Sequence, residues 1–322
     1  MRWVSLRSRS ERGATAIVVA MLLVGLLGFT AIAVDVGAAW STKKQLQNGA
    51  DASALAIAQA CAAGNCGATA GTADSFADGN RVGGVATGSV VSLSMANGRV
   101  TTRAEVTQDF WFAPVLGLDS GLIGAEATAG WGTPSGGTTI PITFSLCEFY
   151  WQTGTIVGSP PSTTDEFTIT LMTKTPPTPD FAVLGACGTQ AAHNEAAGGF
   201  GWLDPDPGVC RATSHGGWVD GDTGLSMPCS IGVPTDPVLI PIFNATNGRN
   251  GANAEFKLYS YAMFKLTGYC FKNQSDGKWN VGNDNCNKKY LKGYFVKFVS
   301  LEDADFSTSL PDLGARVVRL LA

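Results

Sequence analysis

One long apolar run stands near the start of this 322-residue chain. From Gly13 to Val34 there is no charged side chain, and only Thr15 and Thr30 are polar. A helix rises about 1.5 Å per residue, so a run of this length crosses a hydrocarbon core of roughly 30 Å. The sequence therefore predicts a single transmembrane helix at residues 13–34, with residues 1–12 as a short flank on one side of the membrane.

The basic residues on either side of this run predict its orientation. The N-terminal flank contains four arginines and one acid, whereas Lys43 and Lys44 are the basic residues close behind the run. Flanks rich in Lys and Arg stay in the cytoplasm. We therefore predict a single-pass protein of the cell membrane, with residues 1–12 cytoplasmic and the chain after Asp35 extracytoplasmic.

Two processing routes are alternatives to an uncleaved anchor. Ala31-Ile32-Ala33 is an acceptable small-x-small site for a signal peptidase, although the apolar run is longer than a usual signal core. Cleavage after Gly13, as in a type IV prepilin, would place Val18 at the fifth mature position, where such leaders typically carry Glu. We expect the helix to be retained.

The helical pattern continues beyond the apolar run. Apolar side chains recur there at steps of three and four residues, which defines one face of a helix. That face consists of Leu46, Ala50, Ala54 and Ile57. No proline interrupts the chain before Pro114. We predict one helix that leaves the membrane at Asp35, whose carboxylate would be hydrated among the headgroups, and continues as a stalk.

The apolar face of this stalk is made of small residues and therefore suits close packing. Near a membrane its predicted partners are the pilin-like helices of other proteins. The alternative is that the face packs against β structure in the same chain.

The same residues carry a resemblance to a known family. The pattern is Arg12-Gly13, an apolar helix, Asp35-Val36-Gly37, and then "LQNGADASAL" at residues 46–55. It resembles the N-terminal segment of TadG-like proteins of the tight-adherence (Tad/Flp) pilus assembly system, with Gly49 as a small departure. The resemblance implies a membrane-anchored envelope protein rather than an enzyme. Its implied partners are the membrane and pilus-assembly proteins with pilin-like helices.

The rest of the chain has β patterns. Residues 64–80 are predicted as a loop or a partly frayed connector. Two β-rich runs flank Asn97-Gly98, a strong hairpin signal. A short helical or turn piece is predicted at Pro114–Leu118, and a strand near Ile123–Trp131. These elements and the stalk would form a pilin-like first unit at residues 35–132. Residues 133–139, "TPSGGTT", are predicted as a linker.

Residues 140–322 are predicted as an extracytoplasmic, mainly antiparallel β domain. Its predicted strands lie at Ile140–Phe149, Glu166–Thr173, Phe256–Phe271, Tyr290–Leu301 and Ala315–Ala322. The overall fold class is therefore α+β: one N-terminal transmembrane helix extended into a stalk with a small sheet, followed by a β-rich domain.

Eight cysteines in an exported chain predict four disulfides. The pairs expected are Cys61–Cys66, Cys147–Cys187, Cys210–Cys229 and Cys270–Cys286. The spacing alone leaves other connectivities open.

Catalytic and metal chemistry is poorly supported by the sequence. The only histidines are His193 and His215, and no Gly-x-Ser-x-Gly elbow occurs. A zinc set of Cys187, His193, Cys210 and His215 has irregular spacing. The acidic pieces at 204–206 and 220–224 lack the terminal ligand of a calcium loop. We predict no catalytic residue, no metal site and no cofactor.

Charge gives one alternative function and excludes another class. The formal net charge of −4 gives no global basic field, so nucleic acid is not a predicted partner. Lysines interleaved with aromatic residues near the C-terminus would suit an anionic cell-wall polymer. We favour ordinary strands with lysines outward and aromatic rings inward. The lysines lie between Lys257 and Lys297, and the aromatic residues between Tyr259 and Phe295.

Overall fold

A computed structural model describes most of the chain. The described residues are 12–155, 159–171, 199–222, 229–232, 235–247, 249, 253–271, 277–299 and 305–321. Three α-helices and fifteen strands lie within these ranges. The protein is α+β, with a long N-terminal helix followed by a mainly antiparallel sheet, as the sequence predicts.

The helices and strands have the following bounds. The helices are α1 (Arg12–Ala62), α2 (Thr69–Gly79) and α3 (Leu146–Thr153), with a 3₁₀ turn at Ala113–Leu116. The strands are β1 (Thr87–Ser94), β2 (Arg99–Asp109), β3 (Ser120–Thr139), β4 (Ile142–Ser145), β5 (Glu166–Leu171), β6 (Phe200–Trp202), β7 (Ala212–Ser214), β8 (Gly217–Asp220), β9 (Val238–Thr246), β10 (Glu255–Cys270), β11 (Lys278–Trp279), β12 (Lys289–Phe295), β13 (Phe298–Val299), β14 (Asp305–Ser307) and β15 (Arg316–Leu321).

Helix α1 is continuous over 51 residues and has two different environments. Its large apolar side chains from Ile17 to Val34 are exposed. Beyond that point one side of the helix is buried in the chain's own core. In the described part of the chain, this is the one helix long and apolar enough to cross a membrane. The prediction that the apolar helix continues as a stalk is confirmed.

Helix α2 occupies part of the region predicted as a loop, so that prediction is wrong for residues 69–79. Its Ala73 and Ala77 are buried against α1. Gly49 makes the contact possible, because a Cβ there would lie 3.1 Å from the Cα of Ala77. The sequence did not predict this helix because the segment is rich in small, turn-forming residues. Its two buried positions are alanines, which give only a weak apolar pattern.

The first sheet is built on the predicted hairpin. Strands β1 and β2 pair antiparallel around Asn97-Gly98, and Gly98 has a positive φ of 56°, so the hairpin is confirmed. Strand β3 pairs antiparallel with β2 on one side and with β15 on the other. The chain therefore returns from its far end to complete the sheet beside α1.

Strand β3 also crosses the segment predicted as a linker. It runs for 20 residues and is largely buried between Thr133 and Thr139, so the linker prediction is wrong. Pairing with β14 and β7 holds this part of β3 in an extended conformation despite its Pro, Ser and Gly residues. A boundary drawn at residue 132 would divide one continuous strand.

The second half of the sheet follows the order β3-β9-β10-β12-β5. Its strands pair antiparallel, except that β9 runs parallel to β3 and β4. Buried aromatic rings dominate its core. Phe295 packs edge-on against Phe149, Phe167 and Phe264.

The run Ile140–Phe149 is only partly a strand. Strand β4 ends at Ser145, and helix α3 begins at Leu146. The Ser145 side chain accepts a hydrogen bond from the backbone N–H of Glu148, which is an N-cap arrangement. The Ser-x-x-Glu spacing predicts such a start, but the apolar composition favoured a strand.

The alanine face of α1 packs against the chain's own sheet. Leu46, Ala50, Ala54 and Ile57 are at most 1 % exposed. Opposite them lie Val100, Ala104 and Ala129 of β2 and β3, and Val318 of β15. The prediction that this face binds helices of other proteins is therefore wrong, and the alternative holds. Small side chains on both sides let the helix and sheet approach closely.

A charge on this face should weaken the packing of α1 on the sheet. We expect Ala54→Asp to lower the free energy of unfolding by on the order of 3 kcal/mol, because an unpaired carboxylate would be buried among apolar side chains. Asn48→Asp, on the exposed side of the same helix, is the matched control and should change stability little. Urea unfolding of the full chain in detergent measures both, and equal stability of the two variants would contradict the packing described.

Candidate functional site

The polar residues of the family pattern fasten α1 to the sheet. The Gln47 amide donates to Asp51 at 2.8 Å and to the backbone oxygen of Glu126 at 3.1 Å. The Ser53 hydroxyl lies 2.9 Å from that of Thr102, which donates to the backbone oxygen of Ala50. The pattern at residues 46–55 therefore has a structural role within the chain.

Disulfides close the end of the stalk and two later loops. Cys61 pairs with Cys66 just after α1, Cys210 pairs with Cys229, and Cys270 pairs with Cys286. These are three of the four pairs expected from the sequence. Cys147 is also disulfide-bonded. Its expected partner, Cys187, lies outside the described residues.

Asp35 has a specific structural partner at the point where the apolar run ends. Its Oδ1 accepts from the backbone N–H of Trp111 at 2.9 Å. Its Oδ2 accepts from Phe112 at 3.0 Å and from Ala113 at 2.7 Å. These donors open the 3₁₀ turn in the loop between β2 and β3, so Asp35 caps a turn far away in sequence.

This arrangement corrects the role expected for Asp35. The side chain was expected to be hydrated among headgroups, yet Asp35 is only 7 % exposed and binds backbone donors of the same chain. A second bond nearby joins the Thr42 hydroxyl to the Gln108 side chain at the end of β2. Together these contacts fix the β2–β3 loop, residues 110–119, against the helix.

A groove of 830 Å³ lies between the helix and this loop. Its walls are almost entirely apolar, with the Asp35 carboxylate at one point. The groove is lined by Leu27, Gly28, Thr30, Ala31, Ile32, Asp35, Val36, Ala39, Phe110, Phe112, Ala113, Val115 and Leu118. The Asp35 oxygens accept from three backbone amides and the Thr30 hydroxyl donates to the Leu26 carbonyl, so the rest of the surface suits an apolar contact.

The chemical candidates from the sequence do not converge in the described residues. His215 is exposed and lies 3.5 Å from Asp305, and His193 lies outside the described residues. Cys210 forms a disulfide with Cys229, so its sulfur is not a free thiolate that could bind zinc. Asp206 accepts a hydrogen bond from Thr213, as in an ordinary turn.

One described cluster has metal-ligand distances, formed by Cys270, Cys286 and Asp284. The two cysteines are bonded to each other. The Asp284 carboxylate accepts from the Cys286 N–H and the Tyr290 hydroxyl, and these bonds hold its pKa below the ordinary value. The cluster is therefore a braced disulfide loop, not a set of free metal ligands.

The basic and aromatic residues of β10 differ in burial. Lys257 and Lys265 are exposed, whereas Tyr261, Phe264 and Tyr269 are buried. Burial raises the pKa of Tyr261, whose hydroxyl also bonds to Ser214. The expectation of lysines outward and rings inward is confirmed for this strand.

Glu148 is a buried carboxyl in the first turn of α3. It is 1 % exposed, and its Oε2 accepts from the Gln152 amide at 3.0 Å. Desolvation raises the pKa of Glu148 from 4.5 to about 7, against the smaller lowering effect of the Gln152 bond. Gly199 packs so closely on this side chain that an added Cβ would overlap its Cγ.

These features define a class: an α+β protein with one apolar helix that runs from a membrane-length segment into a close-packed sheet. Residues 13–62 match the family model described as putative Flp pilus-assembly TadE/G-like. The match ends where α1 ends and confirms the resemblance seen in the sequence. No curated protein and no solved structure gives a significant match to the chain.

The Asp35 contact can be tested by removing its acceptor. We expect Asp35→Ala to lower the free energy of unfolding by about 2 kcal/mol, because three backbone donors would lose a charged partner. Hydrogen exchange of the amides of Trp111, Phe112 and Ala113, measured by mass spectrometry in micelles, should accelerate. Asp119→Ala, at the exposed end of the same loop, is the control. Unchanged exchange at these three amides would exclude the capping role.

Glu148 predicts a pH-dependent stability. Because its pKa is raised in the folded state, Glu148 contributes to the free energy of unfolding. This stabilisation is fully present below pH 4.5 and is lost as the pH rises through about 7. We expect the free energy of unfolding of Glu148→Gln to equal that of the wild type at about pH 4. At about pH 8 it should be higher than that of the wild type by about 3 kcal/mol. Urea unfolding at both pH values measures this, with exposed Asp165→Asn as control. A difference that is the same at both pH values would refute it.

Proposed function

We propose that the protein is a non-catalytic, membrane-anchored component of a Tad/Flp pilus assembly system, acting as a pseudopilin-like anchor or minor pilus part. The main support for this proposal is the structure of helix α1. The segment that matches the family model is a single helix whose first part is an exposed apolar rod and whose second part is docked on a sheet. Such a helix ties a folded unit directly to a membrane.

The orientation proposed is N-terminal flank in the cytoplasm and sheet outside. The arginine-rich flank supports this direction. The disulfides support it as well, because they persist in oxidising compartments. The helix is proposed to remain uncleaved.

Partner helices of the assembly system would have to use the part of α1 that the sheet leaves uncovered. The face around Ala54 is filled by β2, β3 and β15. The exposed side chains between Ile17 and Val34 remain available within the membrane. We therefore place the contact with pilin-like helices in the membrane segment.

The alternative, binding of wall polymer through a basic and aromatic face, loses its main support. Polymer binding by stacking needs exposed rings, and most of the rings on β10 face the core. The exposed lysines alone are typical of any solvated strand.

Photocrosslinking in cells tests the assignment. A crosslinking residue in place of Val24, exposed in the membrane segment, should capture membrane proteins of the pilus system. The same residue in place of Ala56, half-buried on the docked part of α1, is the control and should capture few membrane proteins.

Deletion of the gene should reduce surface piliation. N-terminal sequencing of the extracted protein should show an uncleaved helix.

Other outcomes would overturn parts of this proposal. Normal piliation after deletion, with no pilus component captured from Val24, would contradict the pilus assignment. A mature chain beginning at Val34 or Ala14 would contradict the retained anchor.

A further inference from the structure

The β2–β3 loop presents an unusual surface. Between Asp109 and Asp119 it contains no charged or polar side chain. Trp111 is 79 % exposed and Val115 is 89 % exposed, and Leu118 and nearby Leu122 are also exposed. Soluble surfaces rarely display apolar side chains this densely, so the loop requires a covering partner.

The loop lies beside the membrane-length part of α1. Val115 and Leu118 line the same groove as Leu27. Leu27 precedes Asp35 by two turns, which is about 12 Å along the helix axis. The loop therefore extends from the sheet back along the apolar rod, to a depth at which the rod itself would be surrounded by hydrocarbon.

A second marker gives the level of the membrane surface. Trp40 is exposed, and the Lys44 ammonium lies 5.6 Å from its ring centre. Tryptophan and lysine are enriched where helices cross the headgroups. They lie on the sheet side of Asp35, so the loop tip lies below this level, on the hydrocarbon side.

Most N–H groups of the loop are hydrogen-bonded within the protein, and a hydrocarbon environment requires such internal pairing. Asp35 accepts from three consecutive amides. The N–H of Phe110 donates to Asp119, Val115 to Phe112, Gly117 to Pro114 and Leu118 to Ala113. Pro114 has no N–H to satisfy.

We propose that the β2–β3 loop inserts into the outer leaflet of the bilayer and forms a second membrane contact beside α1. Asp35 positions the loop by accepting its amides, and Trp111, Val115 and Leu118 contact acyl chains. This inference rests on the proposed membrane anchor. It adds that the sheet is held at two points and so has a fixed orientation on the membrane surface.

Depth measurements on the full chain test the proposal. Val115→Cys and, independently, Leu118→Cys would carry a spin label in vesicles of phosphatidylethanolamine and phosphatidylglycerol. Val24→Cys marks the apolar rod, and Val82→Cys marks the exposed region between α2 and β1. We expect the loop labels to show the high oxygen and low nickel-chelate accessibility of the Val24 label, and the Val82 label to show the reverse.

Each other outcome has a distinct meaning. If both loop labels behave like the Val82 label while the Val24 label is in lipid, the insertion is wrong and the anchor stands. If the loop labels are shielded from both oxygen and the chelate, a protein covers the loop and the proposal is wrong. A Val24 label accessible to the chelate would overturn the anchor itself.

Discussion

The contact between the alanine face of α1 and strands β2 and β3 determines the rest of this structure. Alanine opposes alanine across it, so the helix axis lies close to the sheet, and the Ser53–Thr102–Ala50 hydrogen bonds can form within the same layer. Close approach depends on side-chain size at each position. With the helix fixed, the end of β2 contacts Thr42, and the β2–β3 loop contacts Asp35 beside the exposed apolar part of α1.

Periodicity and residue type predicted the local features well. The apolar run, the helical stripe beyond it and the Asn97-Gly98 hairpin each depend on neighbouring residues, and each is present in the structure. The exposure of the lysines and the burial of most rings on β10 likewise follow from residue type. The order of the cysteines also predicted the three described disulfides, each of which joins cysteines that are neighbours in the sequence and closes a short loop.

Contacts between residues distant in sequence could not be predicted from these local patterns. Asp35 was interpreted from its neighbours in sequence, whereas its partners lie on a loop past residue 110. The stripe around Ala54 has the same composition whether it meets a foreign helix or its own sheet. Residues 133–139 have the composition of a linker and are held as strand by pairing with β7, β9 and β14. In each case tertiary pairing overrides a local preference.

Strand β15 has a consequence for how the molecule is assembled. It fills the edge of β3 beside α1, and its Val318 belongs to the core that contains Ala54. A pairing between residues so distant in sequence forms late, because a long loop must close first. During synthesis α1 is made long before β15, so until then the sheet has an open edge beside the helix. That edge is closed only once Arg316–Leu321 has been made, so the sheet beside α1 is among the last parts of the protein to reach its final structure.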